Sequence, residues 1–94
     1  MAKYSLDLTN AYLHDLKQAR KRGLDETSLN DVINKLLDDI PLPQNNRNHQ
    51  LVGDYKGCWE CHINPDWLLI YSKDKQIKII TLKRTGTHSD LFKK

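Results

Sequence analysis

The sequence predicts an α/β (α+β) fold in which an N-terminal strand and two helices precede a twisted, mainly antiparallel sheet, all in one domain over residues 1–94. Three patterns carry that prediction. A short period-two segment opens the chain, two segments with apolar residues three and four apart follow, and from residue 51 onward apolar runs of strand length alternate with turns. A chain of this size buries about 60–65% of its unfolded surface, which gives one modest core and no room for a separate cofactor domain.

In the first segment, Tyr4, Leu6 and Leu8 alternate with Ser5, Asp7 and Thr9, as in a strand with one buried face. From Asn10 to Arg22 the period becomes helical: Asn10 is placed to cap, Tyr12, Leu13, Leu16 and Ala19 form an apolar stripe, and Gly23 stands where a left-handed terminating residue belongs. The second helix has a clearer stripe, Leu29, Val32, Ile33, Leu36, Leu37 and Ile40, with possible caps at Asp25, Thr27 or Ser28, and it ends before Pro41 and Pro43. Residues 41–50 are proline- and asparagine-rich and read as an irregular connection. Strands are then expected at Leu51–Val52, Cys58–Ile63, Trp67–Tyr71 and Ile77–Leu82, with Ser72–Gln76 as a polar hairpin loop.

No long apolar segment with a cleavage site opens the chain and no apolar run is long enough to span a bilayer, so a cytoplasmic protein without membrane association is expected. The net charge is +3, and its distribution is uneven. Lys17, Arg20, Lys21 and Arg22 cluster in the first helix; Lys73, Lys75, Lys78, Lys83 and Arg84 lie near the last strand; Lys93 and Lys94 follow. Such segregation suits a polyanion such as RNA, the plainer reading being a solvated lysine-rich face.

Cys58-Trp59-Glu60-Cys61-His62 has the C-x-x-C-H spacing of haem attachment, and its first four residues fit a redox dithiol or half of a zinc site. Strand alternation argues against all three. Cys58, Glu60 and His62 would share one face and Cys61 the other, so the thiols point apart, and no second C-x-x-C supplies further ligands. Neither metal nor cofactor is expected, and Cys61 is assigned to the core. Two other features suit chemistry on phosphates. His62 precedes a Pro65-Asp66 turn that would bring Asp66 close to it, and Arg84-Thr85-Gly86-Thr87-His88 places a forked cation and an imidazole after an apolar strand.

Three ordered blocks join these residues: H-x-L-x-G from His49, H-I-x-P-D-W-L-L-I-Y from His62, and R-T-G-T-H-x-x-L-F from Arg84. Together they resemble the YafQ branch of the RelE/ParE superfamily, over essentially the whole chain, with departures at Cys58 and Trp59. The resemblance implies a small RelE-like toxin that enters the A site of the 70S ribosome, contacts messenger and ribosomal RNA, and cleaves the messenger without metal. It implies a separate DinJ-like antitoxin as cognate partner, with operator DNA bound only through that complex. The positions matching the active-site motif are His49, His62, Asp66, Arg84, His88 and Phe92. Metal-free RNA cleavage needs a base for the 2′-hydroxyl, an acid for the leaving 5′-oxygen and positive charge at phosphorus. The expectation is His49 as base, His88 as acid, His62 and Asp66 orienting or sharing the proton, Arg84 at the phosphate and Phe92 stacked on a nucleotide. Lys17, Arg20, Lys21, Arg22 and Lys83 are expected to bind RNA. A ParE-like toxin, which inhibits a DNA topoisomerase by binding, is the alternative, but it needs no set of proton-transferring histidines.

Overall fold

The computed structural model of the protein describes residues 2–92, so Lys93 and Lys94 lie outside the described residues. Its elements are β1 (Ser5–Leu8), α1 (Asn10–Lys21), α2 (Glu26–Leu37), β2 (His49–Gln50), β3 (Trp59–Asn64), β4 (Trp67–Asp74), β5 (Ile79–Gly86) and α3 (His88–Leu91), with single 3₁₀ turns at Gln44–Asn46 and Gly53–Tyr55. One sheet has the order β1-β5-β4-β3-β2. Only the β1–β5 pair is parallel, so the sheet is mainly antiparallel as expected.

Local chemistry sets the helix ends. Thr9, not Asn10, caps α1: its hydroxyl accepts the Tyr12 N–H at 3.0 Å and donates to the Lys83 carbonyl at 2.9 Å, tying the helix start to β5. Asp25 caps α2 by accepting the Thr27 N–H at 3.0 Å. That helix stops at Leu37, earlier than the apolar stripe suggests, because Asp39 turns left-handed at φ 58° and leaves Ile40 49% exposed.

The sheet separates two apolar layers. Tyr12, Ala19, Leu29, Val32 and Leu36 of the helices pack on Cys61, Leu69, Tyr71, Ile80 and Leu82, while Cys58, Leu68, Ile70 and Leu91 pack on the other face. The unbroken run Trp67–Tyr71 thus feeds both layers by alternation, and burying Leu68, Leu69 and Ile70 completely contributes about 1.5–3 kcal/mol each.

Three strand expectations are corrected. Leu6 and Leu8 align with Ile80 and Leu82 yet stay 43% and 39% exposed, because β1 is an edge with a neighbour on one side only. The short strand before β3 is His49–Gln50 instead of Leu51–Val52: Gly53 turns the chain at φ 71°, and Val52 is 87% exposed. β4 runs on to Asp74, whose carboxylate accepts the N–H groups of Gln76 and Ile77 and makes the turn there.

Candidate active site

Pairing register places the candidate side chains. Glu60 lies opposite Ile70 and His62 opposite Leu68, so both carry their side chains to the face away from α1 and α2. His49 lies opposite Glu60 on β2. Glu60 is only 3% exposed, a buried carboxylate, and its Oε1 stands 3.4 Å from His49 Nε2 and 3.7 Å from His62 Nε2. A carboxylate removed from water needs such partners, and two imidazoles supply them.

The loop before β2 holds the His49 ring and the His62 backbone. His49 Nδ1 lies 2.6 Å from the Arg47 carbonyl, which can only accept, so Nδ1 carries a proton; Nε2 is turned to Glu60 and donates to it when the ring is a cation. Asn46 Nδ2 donates to the His62 carbonyl at 2.6 Å and pins β3 at the point where β2 has already ended. The His62 pKa lies below its usual 6.5 because burial disfavours the cation; Glu60 opposes that effect, and Arg47, His88 and His49 add to it.

A row of rings extends from His62. His88 lies 5.9 Å away between ring centroids, Phe92 a further 5.8 Å from His88, and Tyr55 meets Phe92 edge-on at 5.8 Å. His88 and Phe92 come from α3, which is fixed to the end of β5 by a capping box between Thr87 and Asp90 and by Arg22, 2.7 Å from Asp90 Oδ2. Gly86 permits this turn, since a Cβ there would stand 3.0 Å from the Asp90 Cβ.

Other expected site residues are placed differently. Arg84 does not stand free: Asp15 of α1 accepts from its Nε at 2.6 Å and its Nη2 at 3.1 Å, and Tyr55 is a further side-chain partner, leaving the donors beyond these two for a ligand. Asp66 is exposed in the β3–β4 turn, with no hydrogen bond or ion pair to a histidine among the described residues. In the basic cluster, Arg20 pairs with Glu26 and Arg22 with Asp90, whereas Lys17, Lys21 and Lys83 make no ion pair among the described residues. Glu60 and Tyr55 were absent from the expected site. Alternation put Glu60 on the His62 face, but nothing in the sequence marks it as buried; Tyr55 sits in a 3₁₀ turn that periodicity does not reveal. Among the described residues no group of three or more His, Cys, Asp or Glu side chains is arranged to hold a metal ion. The thiols lie in opposite layers and are free, so they form no dithiol site.

Chemically, the face offers imidazoles for proton transfer, a buried anion to stabilise their cations, a clamped arginine and two aromatic rings.

The family model for the bacterial toxin of type II toxin-antitoxin systems, YafQ, matches residues 4–93. The mRNA interferase toxin YafQ of Escherichia coli K12 is 36% identical over 93 residues, spanning 98% of this chain and 99% of that one. The fold superposes on a chain of the E. coli DinJ-YafQ toxin-antitoxin complex with a TM-score of 0.87 at 35% identity, covering 96% and 98% of the two chains. A metal-bound toxin from Helicobacter pylori gives a TM-score of 0.88 at 36% identity, with 98% and 100% covered.

Proposed function

The chain belongs to the YafQ family of toxins from bacterial type II toxin-antitoxin systems, and on that premise we propose that it is an mRNA interferase, an endoribonuclease that cleaves messenger in the ribosomal A site by metal-independent acid–base chemistry. The observation carrying this reading is the placing of His49 and His62 against one buried carboxylate, Glu60, with His88 beside His62 on an open face.

In the proposed reaction the ribose 2′-oxygen attacks the adjacent phosphorus while a base takes its proton. The bond from phosphorus to the 5′-oxygen breaks, and an acid protonates that oxygen, leaving a 2′,3′-cyclic phosphate and a 5′-hydroxyl. His62 suits the base better than His49, the residue expected in that role from the motif. Burial favours the neutral ring of His62, and Glu60 stabilises the cation that forms. His49 donates through Nδ1 and turns Nε2 to the carboxylate, so its role is to hold Glu60 and add positive charge. His88, exposed on α3 and adjacent to His62, serves as acid. Each proton transfer contributes on the order of 10²–10⁴ in rate. The free donors of Arg84 stabilise the phosphorane, Phe92 and Tyr55 stack on a displaced base, and Asp66 would act on bound RNA, not on an imidazole.

The open site does little to bend RNA into line, so the ribosome supplies that orientation, and Lys17, Lys21 and Lys83 contact ribosomal RNA. A DinJ-like antitoxin that lays acidic side chains over this basic, exposed face would block ribosome entry by charge and by bulk. Such a target places the toxin in the cytoplasm.

The test is a primer-extension map of messenger ends in a purified translation system. Ends are expected at A-site codons, only when ribosomes occupy the message, and they should survive a chelator selective for transition metals over magnesium. The same ends from His88→Ala would overturn the catalytic assignment.

A further inference from the structure

Beside His62 a cavity of about 470 Å³ opens between the Gln44–Asn46 turn and the β3–β4 turn. We propose that it is a nucleobase subsite, which holds a codon base adjoining the cleaved phosphate and discriminates it through the carboxamides of Asn45 and Asn64, with Arg47 on the flanking phosphate. This rests on the RNA-cleavage reading above.

Size, shape and chemistry each support it. The volume lies within the roughly 300–1,000 Å³ of small-ligand pockets. Ile63 and Pro65 give it apolar lining against which a flat base can pack, and His62 forms a wall shared with the catalytic group. His62 therefore adjoins both this cavity and the His88–Phe92 row, so an RNA strand crossing it meets both.

The polar groups are presented in a fixed frame with donors to spare. Asn46 is spent on the His62 carbonyl and holds the wall. Asn64 uses Oδ1 to accept the Asp66 N–H at 3.2 Å, which leaves its Nδ2 donors unengaged. Asn45 and Arg47 make no side-chain hydrogen bond or ion pair among the described residues. Arg47 is held left-handed at φ 48°, a costly conformation for a residue with a Cβ. Its carbonyl is engaged by His49, and its N–H bonds to the Gln44 carbonyl at 3.0 Å, so the guanidinium leaves from a fixed backbone. Carboxamides present a donor and an acceptor side by side, the pattern that distinguishes one base edge from another.

The test reads specificity as well as rate. In a purified translation system, cleavage is scored at each codon for wild type, Asn64→Asp, Asn45→Ala and Arg47→Ala. Asn64→Asp keeps an acceptor for the Asp66 N–H and replaces the amide donors with a charged oxygen, whose repulsion of RNA slows all codons alike, so only the ratio between codons reads the subsite. The ratio of cleavage between favoured and disfavoured codons is expected to change about 10-fold in the two asparagine variants. Arg47→Ala should slow all codons together. If both asparagine variants melt like wild type and cut every codon in wild-type proportions, the subsite is wrong while the RNA-cleavage reading stands. If Asn64→Asp fails to fold, Asn45→Ala alone decides, since Asn45 is exposed. A wild type that yields no ends at any codon overturns both.

Discussion

Asp15 grips Arg84 across 69 residues of sequence, with 2.6 Å to Nε and 3.1 Å to Nη2, and also accepts the Thr85 N–H at 3.2 Å. The carboxylate thereby fixes which edge of the guanidinium faces outward. Asp15→Ala is expected to cost about 1–2 kcal/mol, toward the low end for an ion pair because Arg84 is partly exposed. It should also slow cleavage without touching RNA. In urea melts and rate measurements on a double-mutant cycle, Asp15→Ala and Arg84→Ala should not add. Full additivity would mean that Asp15 does not act through Arg84.

Glu60→Gln keeps the shape and removes the charge between His49 and His62. Cleavage should fall at least about 10-fold with binding to ribosomes little changed, because the loss is of stabilisation for a cation formed during reaction. Ribosome pelleting and single-turnover rates separate the two effects.

The depressed pKa of His62 sets a direction in pH. Between its folded value and 6.5 the unfolded chain binds more protons than the folded one, so this group's stabilisation is complete above pH 6.5 and is lost as pH falls through the folded value. The acid limb of the cleavage profile is accordingly expected below pH 6.5, where a fully solvated imidazole would already be half protonated. A limb above that value would reverse the role given to His62.

Gly86→Ala tests the mounting of α3. The new Cβ would meet Asp90 at 3.0 Å and drive it from Arg22 and the Thr87 N–H, removing the cap at a cost of about 0.5–2 kcal/mol. Cleavage should drop with it as His88 shifts. His88→Ala is the contrast: activity should be lost with stability unchanged within about 0.5 kcal/mol, because the side chain is exposed.

The cysteines should be chemically silent. Burial, with a smaller push from Glu60, raises the Cys61 thiol to about 12, so it stays protonated, and Cys58 is buried in the opposite layer. Alkylation of the native protein should label neither, and denaturation should expose both. Cys58→Ser combined with Cys61→Ser should still cleave, with some loss of stability where Cys61 was packed.

Regular, local patterns were legible in the sequence. The α2 stripe from Leu29 to Leu36 and the run Trp67–Tyr71 are buried as their spacing implies. Alternation also separated the two thiols correctly. Of the candidate site, the ordered motif blocks pointed to residues that the fold brings onto one face: His49, His62, His88 and Phe92. Relationships that depend on distant pairing were not legible. Asp15 looks like one more helix-surface acid until β5 arrives beside it. Glu60 is a residue type normally found in water, and only the convergence of two imidazoles explains its burial. Leu6 and Leu8 alternate like core residues, and alternation says nothing about whether a strand lies at an edge.

The parallel partner of β1 is β5, so the first strand waits for almost the last segment of the chain before its ladder can close. During synthesis a nascent polypeptide that has not yet released residues 79–92 has no place to dock residues 5–8, and it carries neither His88 nor Phe92. Such long-range closure is slow compared with hairpin formation. Folding and arming of this chain are therefore one event, set by the emergence of residues 79–92.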